Sequence, residues 1–320
     1  MGNLAVIFGG SGFLGSHLCA FLTAKEFQVV IADLRRPLVT EQSVQYQYCD
    51  VREPITIGDE AVPEVVFNLA AVHRTPGHQP HEYYETNVLG ALHVAEWCAT
   101  RNVRTLVFTS SISVYGPNGN RREESSSLAP VSAYGRSKAL AEQVNLSWAR
   151  QGDDRRSIIV RPAVIFGDGE HGNFTRLALA LRRGHFVLPA GEEVVKSAIY
   201  VRDVVRAMAF LVEHSTERET LANAAFPTGY TLGDICSAFS DVAGYPPPLV
   251  IPQKVGRLPL ALARRLPLGP LSTFVERAEK LVVGTDVIPT TLIQAGFQWQ
   301  YTMEQALRDW MASPPVGDFT

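Results

Sequence analysis

Leu4-Ala5-Val6-Ile7-Phe8-Gly9-Gly10-Ser11-Gly12-Phe13-Leu14-Gly15 is the stretch on which the fold turns. An apolar run of β type ends directly in glycines, and an amphipathic segment, His17 to Phe27, follows. Glycines 9, 12 and 15 spell G-x-x-G-x-x-G, and glycines 10, 12 and 15 also satisfy G-x-G-x-x-G. Such a turn needs φ/ψ values that favour glycine, and it aims a helix N-terminus at whatever anion approaches the backbone. A strand before it and a helix after it give the pattern its meaning.

Working outward, Val29 to Ala32 is a second buried run that ends at Asp33, 18 residues after Gly15. A carboxylate roughly 20 residues beyond the last glycine suits the ribose of a dinucleotide. Gly9, Gly12, Phe13, Leu14, Gly15 and Asp33 are therefore candidate cofactor contacts. Asp33 favours NAD, because its charge repels a 2′-phosphate; Arg35 and Arg36 leave NADP open, since a guanidinium can grip that group. Cys49-Asp50-Val51 is read as the end of a third strand, with Asp50 either accepting from the adenine amino group or capping a helix.

Val65 to Leu69, Thr105 to Thr109 and Ile158 to Val160 read as further buried strands, separated by helical spacing over Tyr83 to Thr100 and Ala133 to Arg150. Strand-helix alternation predicts an α/β fold, a doubly wound parallel sheet with helices on both faces. Phe174 to Arg183, Val204 to Glu213 and Thr231 to Val242 read as helices of a less regular second half, with prolines at 246–248 and at Pro259, Pro267 and Pro270. We expect a dinucleotide-binding unit over 1–165 and a smaller, interleaved substrate-binding lobe over 166–320, with a soft boundary.

Thr109-Ser110-Ser111-Ile112-Ser113-Val114-Tyr115-Gly116 follows a buried strand, and Tyr134-Gly135-Arg136-Ser137-Lys138 opens a helix. Tyr134 and Lys138 are i and i+4, hence neighbours on one face. A phenol titrating near ~10 is a poor base at neutral pH, and a close ammonium favours the phenolate. Tyr134, Lys138 and a serine from the strand end form the candidate catalytic set.

With 46% hydrophobic and 19% charged residues among 320, the composition is that of a globular protein. A net charge of −3 gives no reason to expect nucleic acid or an anionic membrane as partner. Cys19, Cys49, Cys98 and Cys236 are far apart, which suggests neither zinc site nor disulfide framework and fits a reducing, cytoplasmic compartment. Met1-Gly2 begins like a myristoylation site, but Val6 stands where Ser or Thr is required. No secretory leader is visible, and no apolar run reaches the roughly 18–20 residues that span a bilayer.

With these residues assembled, the chain resembles the extended short-chain dehydrogenase/reductases of the NAD-dependent epimerase/dehydratase family. The likeness is carried by Gly9 to Gly15, Asp50-Val51, Asn68-Leu69-Ala70-Ala71, Asn87-Val88-Leu89-Gly90, Ser110 to Gly116, Tyr134 to Lys138, Arg161-Pro162 and Val201-Arg202-Asp203-Val204, across nearly the whole chain. It implies a Rossmann-type sheet, with Asp50, Val51, Leu69, Ala70 and Ala71 added to the cofactor contacts. It implies Tyr134 as acid/base, Lys138 as the residue that holds nicotinamide ribose and tunes Tyr134, and Ser111 as the group that orients substrate, with Ser113 as the alternative register. A helix pair, 83–100 and 133–150, implies a homodimer built through a four-helix bundle.

Departures from the family pattern narrow the activity. Ile112 and Ser113 stand where sugar 4,6-dehydratases resemble one another in an acidic residue, and the cysteine of C3/C5 epimerases has no counterpart here. A nucleotide-sugar 4-epimerase and a 4-ketoreductase remain. Pro80-His81-Glu82-Tyr83-Tyr84-Glu85-Thr86-Asn87 looks like the P-x-x-Y-Y-x-x-N stretch of 4-epimerases, whereas Leu281 to Asp286 and Ala295-Gly296-Phe297-Gln298-Trp299 look like ketoreductases. Asp33 tips the reading to an epimerase with bound NAD, acting on a UDP-sugar; a dinucleotide sensor without catalysis is the third possibility. Asn173 matches a family residue that meets the nucleotide-sugar phosphates, or is an N-cap. Lys196 takes the place of a phosphate-binding Arg. Sugar choice would rest on loops near 72–81, 112–119 and 185–200.

Three features have simpler readings. His73, His78 and His81 lie in a loop broken by Pro76, Gly77 and Pro80, and no metal is expected there. Arg121 to Ser127 reads as a solvated loop, and Asp203 as the cap of the following helix.

Overall fold

β1 (Leu4–Phe8) sends Ala5 and Ile7 to one face of a sheet and Val6 and Phe8 to the other, and all four are buried. This two-sided burial is what a continuous apolar run, rather than an alternating one, produces. The structure is a computed structural model and describes residues 3–38, 42–58, 61–74, 77–117, 120–189, 194–251, 284–313 and 319. Met1, Gly2, Pro76, Pro259, Pro267, Pro270, residues 281–283 and parts of the three candidate sugar loops (75–76, 118–119 and 190–193) lie outside the described residues.

Along the chain come α1 (Phe13–Ala24), β2 (Gln28–Asp33), β3 (Val44–Tyr48), β4 (Val65–Asn68), α2 (Pro80–Tyr84), a π-helical turn (Glu85–Leu89), α3 (Gly90–Thr100), β5 (Thr105–Thr109), a 3-10 turn (Ile112–Tyr115), α4 (Ala133–Arg150) and β6 (Arg156–Pro162). Then follow β7 (Val164–Phe166), α5 (Asn173–Arg182), β8 (Val187–Pro189), β9 (Ala198–Tyr200), α6 (Val201–His214), β10 (Glu219–Ala224), α7 (Leu232–Ala243), β11 (Leu249–Ile251), α8 (Thr290–Gln294) and α9 (Met303–Ala312).

Seven strands form one parallel sheet in the order β10-β6-β5-β4-β1-β2-β3. The expected doubly wound α/β sheet is therefore present. Connection direction reverses beside β1, and ligands of such sheets sit at that switch point, beyond the carboxyl ends of the strands. α1 and α6 cover one face through Leu18, Leu22, Val204 and Met208, while α3 and α4 cover the other through Val94, Trp97, Cys98, Trp148 and Ala149. β10, from the second half of the chain, lies in the same sheet as β1 to β6. A separate aromatic cluster around Phe166, Phe174, Phe239 and Trp310 ties α5, α7 and α9 together.

Two boundaries near the glycine cradle differ from expectation. The first helix begins at Phe13 rather than His17, because the turn of glycines feeds into it without a break. The third strand stops at Tyr48, short of Cys49-Asp50-Val51, since β3 is an edge strand paired only with β2.

Candidate active site

The glycine loop shows why each glycine stands where it does. Gly9 has φ +78°, and a Cβ there would lie 2.6 Å from the Ala70 nitrogen. The loop after β1 thus presses on Leu69-Ala70 after β4. A Cβ on Gly15 would lie 2.5 Å from the Gly9 carbonyl, so α1 can seat against the turn only without a side chain. Gly12 is different, because the nearest atom to its hypothetical Cβ is 3.4 Å away. It opens α1 with no side-chain cap, leaving Phe13 and Leu14 to head the helix. Space above Gly12 and an uncapped helix start fit the pyrophosphate of a dinucleotide.

Asp33 closes this cradle. Its Oδ2 accepts from the Ser11 N–H at 3.0 Å and its Oδ1 from the Arg35 N–H at 3.0 Å. Ser11 Oγ in turn donates to the Arg35 carbonyl at 2.6 Å. Arg36 lies over the Tyr46 ring, 5.4 Å from its centroid. Asp50 caps no helix, so that alternative does not hold. Arg52 grips it with Nε at 2.9 Å and Nη2 at 2.6 Å, and the Arg52 N–H adds a third bond at 3.0 Å. That pairing holds its carboxyl below the ordinary range, and it sits in a turn, not at a helix start. Val51 is buried under Gly90, where a Cβ would meet its side chain at 2.8 Å.

The catalytic set assembles at the ends of β5 and α4. Ser111 caps the 3-10 turn, its Oγ accepting from the Ser113 N–H at 3.1 Å, and the two hydroxyls are 3.2 Å apart. Ser132 caps α4 by accepting from the Gly135 N–H at 3.0 Å. A Cβ on Gly135 would lie 2.6 Å from the Ser113 carbonyl, so the first turn of α4 packs directly on the Ser111 segment. Tyr134 is thereby brought close to Ser111, whose side chain acts to lower the pKa of the phenol. Tyr134 and Lys138 lie one turn apart on α4, and the end of β5 brings Ser111 to Tyr134.

One electrostatic expectation fails. Lys138 is 2% exposed and donates from Nζ to the Thr109 carbonyl at 2.7 Å, 4.8 Å from the Phe108 ring centroid. Burial lowers its pKa to about 7, with Glu142 opposing. Tyr134 is held above the ordinary phenol value by burial, with the Ser111 side chain acting to lower it.

The segment after β4 is fastened from α2 and the π-helical turn. The Asn87 side chain holds Val72, and Tyr83 donates to the Arg74 carbonyl. Tyr83 also faces Tyr134, with ring centroids 6.2 Å apart. His73 between these two anchors is exposed at the surface, yet lost hydration, then Arg74 and Lys138, lower its pKa. His78 pairs with Glu82 at 3.4 Å. Among the described residues, no group of three or more His, Cys, Asp or Glu side chains is gathered to hold a metal ion.

Other candidates resolve as follows. Asn173 is the first residue of α5 and accepts from Arg176 at 2.9 Å, while Gly172 occupies the cap position. Its alternative as an N-cap does not hold; Glu170 does that work, accepting from the Thr175 N–H at 2.9 Å. Lys196 lies just before β9, half-buried, and burial lowers its pKa to about 8. Asp203 lies within the first turn of α6 and caps nothing. It accepts from the Gln300 N–H at 3.0 Å and from Arg206 at 3.0 Å, which anchors the chain before α9. Arg121 to Ser127 is not simply solvated. Arg121 pairs with Asp286 at 2.9 Å, and Glu124 accepts from the Asn223 N–H at 2.8 Å.

A feature missed in the sequence lies beneath the catalytic set. Glu142 and Arg161, 1% and 3% exposed, form a buried ion pair at 2.7 Å. Tyr134, Lys138 and Glu142 occupy i, i+4 and i+8 of α4, and that stripe was the available signal.

Comparison with known proteins agrees with this geometry. A 32% identical stretch of 222 residues, 67% of this chain, matches N-acetyl-alpha-D-glucosaminyl-diphospho-ditrans,octacis-undecaprenol 4-epimerase of Escherichia coli O157:H7, and spans 64% of that protein. UDP-glucose 4-epimerase of Rhizobium meliloti (strain 1021) is 27% identical over 278 residues, 76% of this chain and 83% of that one. The crystal structure of Thermus thermophilus UDP-glucose 4-epimerase in complex with NAD superposes with TM-score 0.72 at 25% identity, covering 96% of this chain and 97% of that one. The model of the NAD dependent epimerase/dehydratase family matches residues 5–224, the span that runs from β1 through the glycine loop and the Ser111, Tyr134 and Lys138 set to the last strand of the sheet. The chain belongs to the NAD dependent epimerase/dehydratase family.

Proposed function

We propose that the protein is a nucleotide-sugar 4-epimerase with bound NAD, acting on a UDP-sugar. The observation that carries this reading is the closeness of Ser111 to Tyr134, with Lys138 one turn further along α4, at the strand ends beside the glycine cradle. Relatives that are named 4-epimerases support it.

Gly9, Gly12, Phe13, Leu14 and Gly15 would hold the pyrophosphate, Asp33 the adenine ribose, and Val51, Leu69, Ala70 and Ala71 the flanks, with Asp50 sharing its carboxylate between Arg52 and the adenine amino group. NAD held there would supply the acceptor for a hydride from sugar C4 and the donor that gives it back. Tyr134 takes the proton from O4 as the carbonyl forms and returns it as the carbonyl is reduced. Ser111 hydrogen-bonds that oxygen and the phenol, with Ser113 close behind. Lys138 supplies a buried cation one helical turn away. Asn173 and Lys196 would meet the sugar-nucleotide phosphates.

Arg35 and Arg36 beside Asp33 support the second reading, a ketoreductase that uses NADPH. The test is to denature freshly purified protein and identify any released dinucleotide, then incubate the protein with UDP-hexoses. Stoichiometric NAD with epimer formation upholds the epimerase; an empty protein that consumes NADPH with a 4-keto sugar overturns it.

We also propose a homodimer in a reducing compartment. Leu92 and Leu140 are 42% and 50% exposed on the adjacent helices α3 and α4, where large apolar side chains need cover. The four cysteines are buried and form no disulfide among the described residues, which supports a cytoplasmic setting. No helix among the described residues is long and apolar enough to cross a membrane. A monomeric mass by light scattering at micromolar concentration would count against the dimer.

A further inference from the structure

The segment that carries Ser111 is short, from Ser110 to Tyr115, and it is held at both ends. Ser110 Oγ donates to Glu142 Oε1 at 2.5 Å. The same carboxylate accepts from Arg161 Nε at 2.8 Å and Nη2 at 2.7 Å. Arg161 Nη1 then donates to the Tyr115 hydroxyl at 2.9 Å, with its guanidinium 5.0 Å from that ring. The Tyr115 hydroxyl itself donates to Asn223 Oδ1 at 2.7 Å. One buried ion pair therefore reaches the first and the last residue of the segment.

We propose that Glu142 is a positioning residue for the catalytic set, fixing Ser111 against Tyr134 through Ser110 on one side and through Arg161 and Tyr115 on the other. The inference rests on the reading of Ser111 and Tyr134 as the groups that handle the substrate proton.

Energetics favour position over stability as the reason for the pair. Removing two charges from water costs about as much as their attraction returns, and apolar residues of equal volume often do as well. An apolar trio at 110, 142 and 161 could join α4 to β6, but it could not set the direction of a hydroxyl. A displacement of about 1 Å in a catalytic group can cost roughly 100-fold in rate. Glu142 also lies one helical turn beyond Lys138, where its charge helps to keep the ammonium protonated against burial.

The experiment uses the full chain and the double variant Ser110→Ala/Tyr115→Phe. It cuts both ties and leaves the Glu142–Arg161 pair in place, so the fold is retained, as a melting curve checks. Native-state hydrogen exchange of residues 111–116 should quicken by roughly tenfold or more, with exchange in the central strands unchanged. In the epimerase assay kcat should fall roughly tenfold or more, with KM and the NAD dissociation constant nearly unchanged. Unaltered exchange over 111–116 overturns the proposal, whatever the turnover. If the wild-type protein epimerises no nucleotide sugar, the functional reading falls, while the exchange measurement still decides the positioning role.

Discussion

The side-chain amide of Asn87 brackets the backbone of Val72, accepting from its N–H at 2.9 Å and donating to its carbonyl at 3.1 Å. The same nitrogen donates to Ser137 Oγ at 2.8 Å, one residue before Lys138. One buried amide thus ties the loop after β4 to the catalytic helix. Asn87→Ala leaves a buried N–H and carbonyl without partners, each at a cost of about 1–3 kcal/mol. Urea unfolding should show a loss of about that size or more, and sugar KM should rise as the 72–74 segment loosens. An unchanged midpoint would mean that Val72 finds other partners.

Gly9 and Gly12 should respond oppositely to alanine. At Gly9 the positive φ and the 2.6 Å approach to Ala70 forbid a Cβ, so Gly9→Ala should lower stability by about 1–3 kcal/mol. At Gly12 the fold has room, so Gly12→Ala should melt like the parent but bind NAD at least roughly tenfold more weakly, because the methyl takes the space of the pyrophosphate. Calorimetric titration beside a thermal melt separates the two effects.

Tyr134→Phe removes the phenol that, once ionised, would take the substrate proton. Turnover should fall about 100- to 10,000-fold with NAD affinity retained. Equal loss in the two quantities would return Tyr134 to a merely structural role.

Lys138 should make stability depend on pH. Its proton is released near pH 7 in the fold and near 10.5 in the unfolded chain. Between these values the unfolded state binds more protons, so stability rises with pH from about 7 toward 10.5 and is lowest, and flat with respect to this group, below 7. Lys138→Met should abolish that rise and melt higher than the parent at pH 6, by about 1.4 kcal/mol for each pH unit of displacement. Parallel stability profiles for variant and parent would show that the ammonium is not desolvated.

Much of the site could be read directly. The glycine loop, Asp33 and the Tyr134-Lys138 spacing are local patterns, and local patterns survive folding. α4 runs from Ala133 to Arg150 as its periodicity predicts, because Ser132 supplies a cap. The first turn of α1 was hidden because Gly15 lies inside it and makes it look like loop. β10 was missed because Glu219–Ala224 has a single large apolar residue, Leu221, and owes its burial to pairing with β6. Glu142 and Asn223 were missed for a related reason, and Arg161, quoted with Pro162, was given no partner. Charged and amide side chains enter a core only when partners distant in sequence meet them, and the stripe along α4 marks the face of Glu142 without naming its partner.

The bond from Tyr115 to Asn223 spans 108 residues of chain. During synthesis at roughly 5–20 residues per second, Asn223 leaves the ribosome roughly 5–20 s after Tyr115. The strands β1 to β6 and the glycine turn can assemble in that interval, so a nascent chain can present a nucleotide-binding surface before it owns a finished catalytic loop. The Tyr115 hydroxyl gains its acceptor only when β10 docks at the sheet edge.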